Sequence, residues 1–501
     1  MTALIIHGHF YQPPRENPWT GEIDRQPSAA PYHDWNERIH SECYGPNAFA
    51  HIGTETEVIN NYRNISFNFG PTLFSWLETH QPRTYKRVIE ADRQSASTRS
   101  GHGNAIAQAY GHAILPLCND RDRLTQVAWG TSDFQFRFGR NPESLWLPET
   151  ACNDETLALL IEQGLRYLIL APEQAGHVRK KRGDRWIAVP AGGIDTTRAY
   201  KYTHKDDATR SISVFFYHGG LARAIAFEKA LTSSRGLVDR FVEVARTGEL
   251  VNVATDGETY GHHFKFGDLC LAHALEVEAK RSGFWITNYG EYLDRHPPEF
   301  EVKIGLGEFG EGSSWSCAHG VGRWTRDCGC YTGGQPGWNQ QWREPLRIAL
   351  NFLRDSAANN FEDSGTDLFR DPWEARNEYI QVLLNPDSWS NFLSAQQSRV
   401  LSTTGEARAR TLLEVQRFSL FMFTSCGWFF SDLAGIETVQ ILRYSARVLE
   451  LEKELGIQSS RSQFLELLAE AKSNDPKKGN GAEIFVRFAE EDRTADPTVV
   501  S

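Results

Sequence analysis

Between residues 2 and 255, short apolar runs recur, each closed by Pro, Gly or a polar residue and most of them followed by helical spacing. Ala3-Leu4-Ile5-Ile6, Leu145-Trp146-Leu147, Tyr167-Leu168-Ile169-Leu170-Ala171, the run 212–217 and Leu250-Val251-Asn252-Val253-Ala254-Thr255 are too short for helices. They are too evenly apolar for half-exposed strands, so they read as parallel strands buried on both faces. Strand–helix repetition of this kind predicts an α/β fold, either a parallel barrel or a doubly wound sheet.

Two runs end in acids. Residues 145–148 deliver Glu149, and 250–255 deliver Asp256, followed by Gly257-Glu258 and Gly261-His262-His263. In α/β barrels the C-terminal strand end is where chemistry is done. Two carboxylates facing across a cleft suit cleavage of a glycosidic bond: one protonates the leaving oxygen while the other attacks or stabilises the anomeric carbon. The competing reading makes each acid a helix N-cap or first-turn charge, favourable there against free N–H groups and the helix dipole.

A length of 501 residues allows a large barrel and a further domain. The net charge of −11 argues against a nucleic-acid partner. No apolar run reaches the roughly 18–20 residues of a membrane span, and 418–430, broken by Ser, Thr and Gly, reads as a buried helix. Met1 leads straight into strand-like sequence with no basic region or cleavage site. With eight scattered cysteines, this predicts a cytoplasmic protein with reduced thiols. Fourteen Trp exceed what a core requires and suit a cleft that stacks sugar rings.

Along the chain, 1–304 is expected to form the barrel, 305–341 a Gly/Trp/Cys-rich cleft-lining loop, 342–473 a helical domain and 474–501 a polar tail. Residues 21–47, with Tyr32, Trp35, Tyr44 and then Phe49, are expected to be a long ordered loop over the mouth of a site. Helices are predicted over 85–94, 154–163 (closed by Gly164), 237–247 (closed by Gly248), 342–353, 373–384, 408–433, 436–455 and 463–471. The loop around Trp315 has three readings. It lines the acceptor side of a cleft with Trp315 and Trp324 as stacking platforms, or it packs plainly, or Cys317, His319, Cys328 and Cys330 hold a metal as soft ligands close in sequence. Cys-Gly-Cys is tighter than usual zinc spacing.

Taken in order, these segments resemble glycoside hydrolase family 57, and more closely its uncharacterised branch carrying a domain of unknown function numbered 3536. His7-Gly8-His9 with Gln12-Pro13 is similar to the family's first motif, and Gly103-Asn104 with Tyr110, His112 and 114–117 to its second. Trp146-Leu147-Pro148-Glu149 is similar to the third, and Asp256-Gly257-Glu258 with Gly261-His262 to the fourth. The resemblance implies a (β/α)7 barrel and a retaining mechanism on α-glucosidic bonds, by hydrolysis or transfer, with an α-linked oligo- or polysaccharide as partner and no cofactor. Glu149 would be the nucleophile and Asp256 the acid/base. His7, His9 and His112 would hydrogen-bond the sugar, beside Gln12, Trp146, Glu258 and His262. Gly427-Trp428 through Asp432 is a weak match to the fifth motif, in which Trp428 and Asp432 would also contact the sugar. Where amylase-type members carry Glu in the second motif, this chain has only Asn104, Ile106 and Gln108. The chain is shorter than is usual for the branch, which implies a missing C-terminal portion. Two rivals stand beside this reading: a carbohydrate-binding protein without turnover, and a metal-dependent glycan enzyme using the histidines and Asp256 as ligands.

Overall fold

The computed structural model describes residues 1–53, 58–180, 183–491 and 493–494. They fall into two compact units that are not consecutive stretches of chain. The first comprises Met1–Gln12, Trp35–Gln108 and Phe134–Ser316, and the second Pro13–Asp34, Ala109–Asp133 and Cys317–Ser501.

In the first unit seven parallel strands form a ring: β1 (Ala3–Phe10), β2 (Ser66–Phe69), β3 (Ala107–Gln108), β4 (Leu145–Trp146), β5 (Tyr167–Leu170), β6 (Ser211–Phe216) and β7 (Leu250–Asp256). One edge of β1 pairs with β7 from Ala3↔Leu250 to His9↔Asp256. The other pairs with β2 from His7↔Ser66 to Phe10↔Phe69. Phe67 then bridges Ala105, β3 pairs with β4, Ser144 bridges Tyr167, and β5 pairs with β6. The ring closes at β7, where the His218 N–H donates to the Asn252 carbonyl at 2.8 Å and the Asn252 amide to the Phe216 carbonyl at 3.1 Å. This is a barrel, which decides against the doubly wound sheet.

The strands stay in the ring because both their faces are buried. Every residue of β1 is buried, as is β7 up to Thr255. Ile5, Ile169, Phe215 and Ala254 meet inside with Tyr289, and each of the larger apolar side chains contributes about 1.5–3 kcal/mol by leaving water. Helices α1 (Pro82–Thr98), α2 (Asp154–Glu162) and α3 (Ser234–Ala245) lie between strands in sequence. Asn153 caps α2 by accepting from the Thr156 N–H, and Ser233 caps α3 through the Gly236 N–H.

The expected loop over 21–47 is helical in its second half, through Trp35–Ile39, His40–Tyr44 and Gly45–Ala48. Buried asparagines hid it from a reading of apolar spacing. Asn47 donates to the Tyr260 carbonyl at 2.7 Å and accepts from the Asn61 amide at 2.9 Å, so a polar residue occupies a core position.

The second unit is mainly helical, with α4 (Arg343–Gly365), α5 (Thr403–Phe421) and α6 (Ile436–Glu454) its longest whole helices. Gln416 on α5 donates to the Ala357 carbonyl on α4, and Asn360 on α4 to Glu452 on α6. Two predicted helices are broken. The 408–433 run stops at Phe421 because Thr424 turns to bridge Ala113 and the Ser425 N–H donates to the His112 carbonyl. The 373–384 run divides at Tyr379. The segment from 474 is also more than a polar tail: Gly481–Phe485 and Val486–Glu491 are helical, with Ile484, Phe485 and Phe488 buried. Asn480 caps the first, and Arg443 donates to the Phe488 carbonyl. Among the described residues no helix is long and apolar enough to cross a membrane.

Candidate active site

Glu149 follows β4 in a tight turn. Its φ of 59° and that of Thr150, 52°, lie in the left-handed region, which costs energy for any residue with a Cβ and most for a β-branched one. Two supports hold the turn. Gln174 brackets Thr150, accepting from its hydroxyl and donating to its carbonyl, both at 2.8 Å. On the other side, residues 313–316 run past as a strap: Ser313 pairs with Cys152 in both directions, and the Trp315 N–H donates to the Glu149 carbonyl at 3.0 Å. The strap also grips the side chain, with the Trp315 indole N–H at 3.0 Å and the Ser316 hydroxyl at 2.7 Å, both on Oε2. The carboxylate is therefore fixed in orientation by two side-chain donors from one segment.

Asp256 ends β7, opposite His9 in register. Its side chain reaches solvent, yet protein packed densely around that opening weakens its hydration. This lost solvation, and then the negative charge of Glu149, push its carboxyl up to about 7. Glu258, two residues on, is buried. Burial first, and Asp256 second, raise it to about 8, against hydrogen bonds from the Tyr44 hydroxyl at 2.6 Å and the Tyr11 N–H at 3.1 Å. Gln12 hydrogen-bonds the same Tyr44 hydroxyl. Glu258 thus spends its oxygen on Tyr11 and Tyr44.

His7 and His9 are ordered by Asn68. The Asn68 carbonyl accepts from His7 Nε2 at 3.1 Å, while its amide donates to His9 Nδ1 at 2.9 Å and to Gln108 Oε1 at 2.7 Å. The Ser66 hydroxyl completes His7 by donating to Nδ1 at 3.0 Å. Burial lowers both imidazoles to about 3, with His7 adding to the effect on His9, so both are neutral bases at ordinary pH. His7 departs from expectation: it is fully buried with both nitrogens used internally, so it supports the site rather than donating to a sugar. The alternative that made the histidines and Asp256 metal ligands loses His7, whose two ring nitrogens are taken by Ser66 and Asn68.

The aromatic candidates divide by burial. Trp315 is half-buried, edge-on to Trp146 at 5.2 Å. Trp146 is 1% exposed and stacks on His7 and His9 at 4.7 and 5.0 Å, which makes it a core plate beneath the histidines rather than a sugar platform. His262 is half-buried, its Nδ1 on Glu42, with Trp35 edge-on at 6.2 Å.

Four candidates lie in the second unit. His112 is buried at a φ of 55°, its Nδ1 2.7 Å from the Ser425 hydroxyl. Trp324 and Trp428, expected to face sugar, are fully buried. The Trp324 indole donates to the Ser425 carbonyl, and Trp428 lies under the Arg347 guanidinium at 4.0 Å. Neither has a face to offer. Asp432 accepts from the Ser473 hydroxyl and the Asn474 N–H, a structural clasp that argues against its sugar-binding role.

Sequence reasoning missed Asn68, Ser66, Gln174, Ser316 and the part Tyr44 plays. The alternation in 65–70 marks a strand and so puts Asn68 near a strand end, but nothing local says that two histidines meet there.

Strand-end carboxylates on a parallel barrel place the molecule among α/β barrels whose polar residues gather at the C-terminal rim. The chain belongs to glycosyl hydrolase family 57: the family's model matches residues 4–305, and that of a domain of unknown function (DUF3536) matches 338–500. Among curated relatives, the α-amylase of Pyrococcus abyssi is 20% identical over 270 residues, covering 52% of this chain and 37% of the relative. The 4-alpha-glucanotransferase of Thermococcus litoralis gives the same figures, 20% over 270 residues, 52% and 37%. The chain thus spans less than two-fifths of the length of these relatives. Among solved structures, the exo-type maltose-forming amylase of Pyrococcus sp. ST04 superposes with a TM-score of 0.66 at 16% identity, covering 93% of this chain and 82% of the other. At that identity the likeness is one of fold.

Proposed function

We propose that this protein is a retaining glycoside hydrolase or transglycosylase acting on α-glucosidic bonds of an oligo- or polysaccharide, with Glu149 as nucleophile and Asp256 as acid/base. One observation carries the reading: of two strand-end carboxylates, Glu149 is pinned by Trp315 and Ser316, and Asp256 is pushed up to about 7 by its surroundings and by Glu149. In the first step Asp256, still protonated, gives its proton to the leaving glycosidic oxygen while Glu149 attacks the anomeric carbon. The leaving sugar departs and a glycosyl ester remains on Glu149. In the second step the Asp256 carboxylate takes a proton from the incoming hydroxyl, which breaks the ester and restores both groups. Water gives hydrolysis and a sugar hydroxyl gives transfer. Family membership supports the reading, as do the relatives named α-amylase and 4-alpha-glucanotransferase.

The test is incubation with α-1,4-linked maltooligosaccharides, read by product chromatography, for the native chain and Glu149→Ala side by side. Shortened or redistributed products from the native chain alone are expected. Binding without turnover, unchanged in Glu149→Gln, would instead make this a carbohydrate-binding protein.

A further inference from the structure

We propose that Cys317, His319, Cys328 and Cys330 form a structural zinc site. Their ligand atoms all lie within 4.8 Å of one another, the convergence a single ion requires. The Cys317 and Cys328 sulfurs are 3.8 Å apart, and the Cys330 sulfur is 3.5 Å from His319 Nδ1. Zinc bonds of about 2.3 Å to sulfur and about 2.0–2.1 Å to nitrogen, set at tetrahedral angles, give edges of about 3.8 Å between sulfurs and about 3.6 Å between sulfur and nitrogen. Both observed separations match. The sulfur pair is far too long for a disulfide, whose bond is about 2.05 Å.

The tight Cys-Gly-Cys spacing is accommodated by the backbone. Gly329 takes a φ of 80°, closed to side-chain-bearing residues except at a cost, and so folds the two flanking thiols to one side. On the other arm Gly320, at 90°, lets the chain turn directly after His319, and its N–H donates to the Cys317 carbonyl at 3.1 Å. The span between the arms is anchored from below: Trp324 is buried, and its carbonyl accepts from Arg347 at 3.0 Å. Arg343 donates to the Cys330 carbonyl at 2.7 Å, which places a cation beside a site whose net charge with three thiolates and Zn²⁺ is −1.

Four protein ligands leave no open position, so the ion is structural. Residues 317–341 contain only the one short helical turn Gly322–Trp324 among described regular elements, and a metal cross-link stabilises such a loop where little core does. Binding releases the thiol protons to solvent and needs no redox partner. Zinc is favoured over other divalent ions by the soft, tetrahedral Cys₃His donor set.

The test uses the full-length protein purified from zinc-supplemented culture. Elemental analysis is expected to give about one zinc per chain. Replacement by cobalt should give the thiolate charge-transfer and intense visible bands of a tetrahedral sulfur site. Cys328→Ser and Cys330→Ser should each bind at least tenfold more weakly in competition with a chromophoric chelator, while Glu149→Ala keeps its metal. If the cysteine variants do not fold, the cobalt spectrum of the native chain decides. Zinc retained in the cysteine variants, no cobalt bands, or a Cys317–Cys328 disulfide in mass spectrometry of the native protein would overturn the proposal.

Discussion

Trp315 holds Glu149 twice, through its backbone N–H on the Glu149 carbonyl and its indole N–H on Oε2, each at 3.0 Å. The first bond stabilises a left-handed turn and the second aims the carboxylate, so one residue couples backbone strain to side-chain orientation. Trp315→Phe keeps the backbone bond and loses the other, and Ser316→Ala removes the hydroxyl that donates to Oε2. A hydrogen bond to a charged group contributes about 1.5–3 kcal/mol, so each variant is expected to lower kcat by about 10–100-fold. Glu149→Ala should lose at least about 10³-fold. Steady-state kinetics beside matched melting curves checks this, and equal kcat in native protein and both variants would remove the strap from the mechanism.

The proposed mechanism needs Asp256 protonated in its first step, and the Asp256 carboxyl is pushed up to about 7. The expected kcat/KM therefore declines as pH rises through about 7, by up to tenfold per unit beyond it. The same shift has a stability consequence. The folded state holds this proton between the ordinary value of 3.8 and about 7, where the unfolded chain has lost it, so stability falls as pH rises through that window. Asp256→Asn should be inactive yet gain melting temperature relative to the native chain at pH 8, and not at pH 3.5. Thermal melts at the two pH values decide it.

Glu258 offers a separable case, because it is buried and held by Tyr11 and Tyr44 rather than placed to react. Its carboxyl stands near 8, so the neutral acid is the stable folded form. Glu258→Gln keeps an oxygen for both donors and removes the charge. The native chain loses stability between pH 4.5 and about 8, and the Gln variant escapes that loss. The difference in melting temperature, variant minus native, should grow from pH 5 to pH 9. A difference that stays flat across the range would show that Glu258 is ionised throughout.

What the sequence revealed follows from run length. β1, β5, β6 and β7 each carry a mainly apolar stretch of four or more residues and were legible. β3 and β4 have two residues each, too few for any period to register. The acids at 149 and 256 could be read because each is the first polar residue after its run. Asn68 could not, because its role exists only once His9↔Asn68 are set opposite each other by the pairing of two strands nearly 60 residues apart. Ser316 is hidden likewise, 167 positions from Glu149. Trp324 and Trp428 show the reverse error: composition counts aromatics but does not tell a buried indole from one facing a ligand.

Gly257 ties the barrel core to Asp256. A Cβ there would sit 2.3 Å from the Phe10 ring, a contact no side chain tolerates without movement. Phe10 itself is fully buried and stacked on Phe69 at 5.0 Å, so the ring has little room to yield. Gly257→Ala must therefore shift the end of β7, and Asp256 with it. The expected stability loss is about 1–3 kcal/mol, as for overpacking elsewhere. The fall in kcat should exceed what the unfolded fraction explains, because Asp256 moves away from the glycosidic oxygen that the proposed mechanism has it protonate. Pairing it with Phe10→Leu, which withdraws the ring, should recover stability and part of kcat. The two changes would then be non-additive, as expected for residues in direct contact. Additive effects in the double variant would mean that Gly257 acts through backbone freedom instead, and the steric argument would fall.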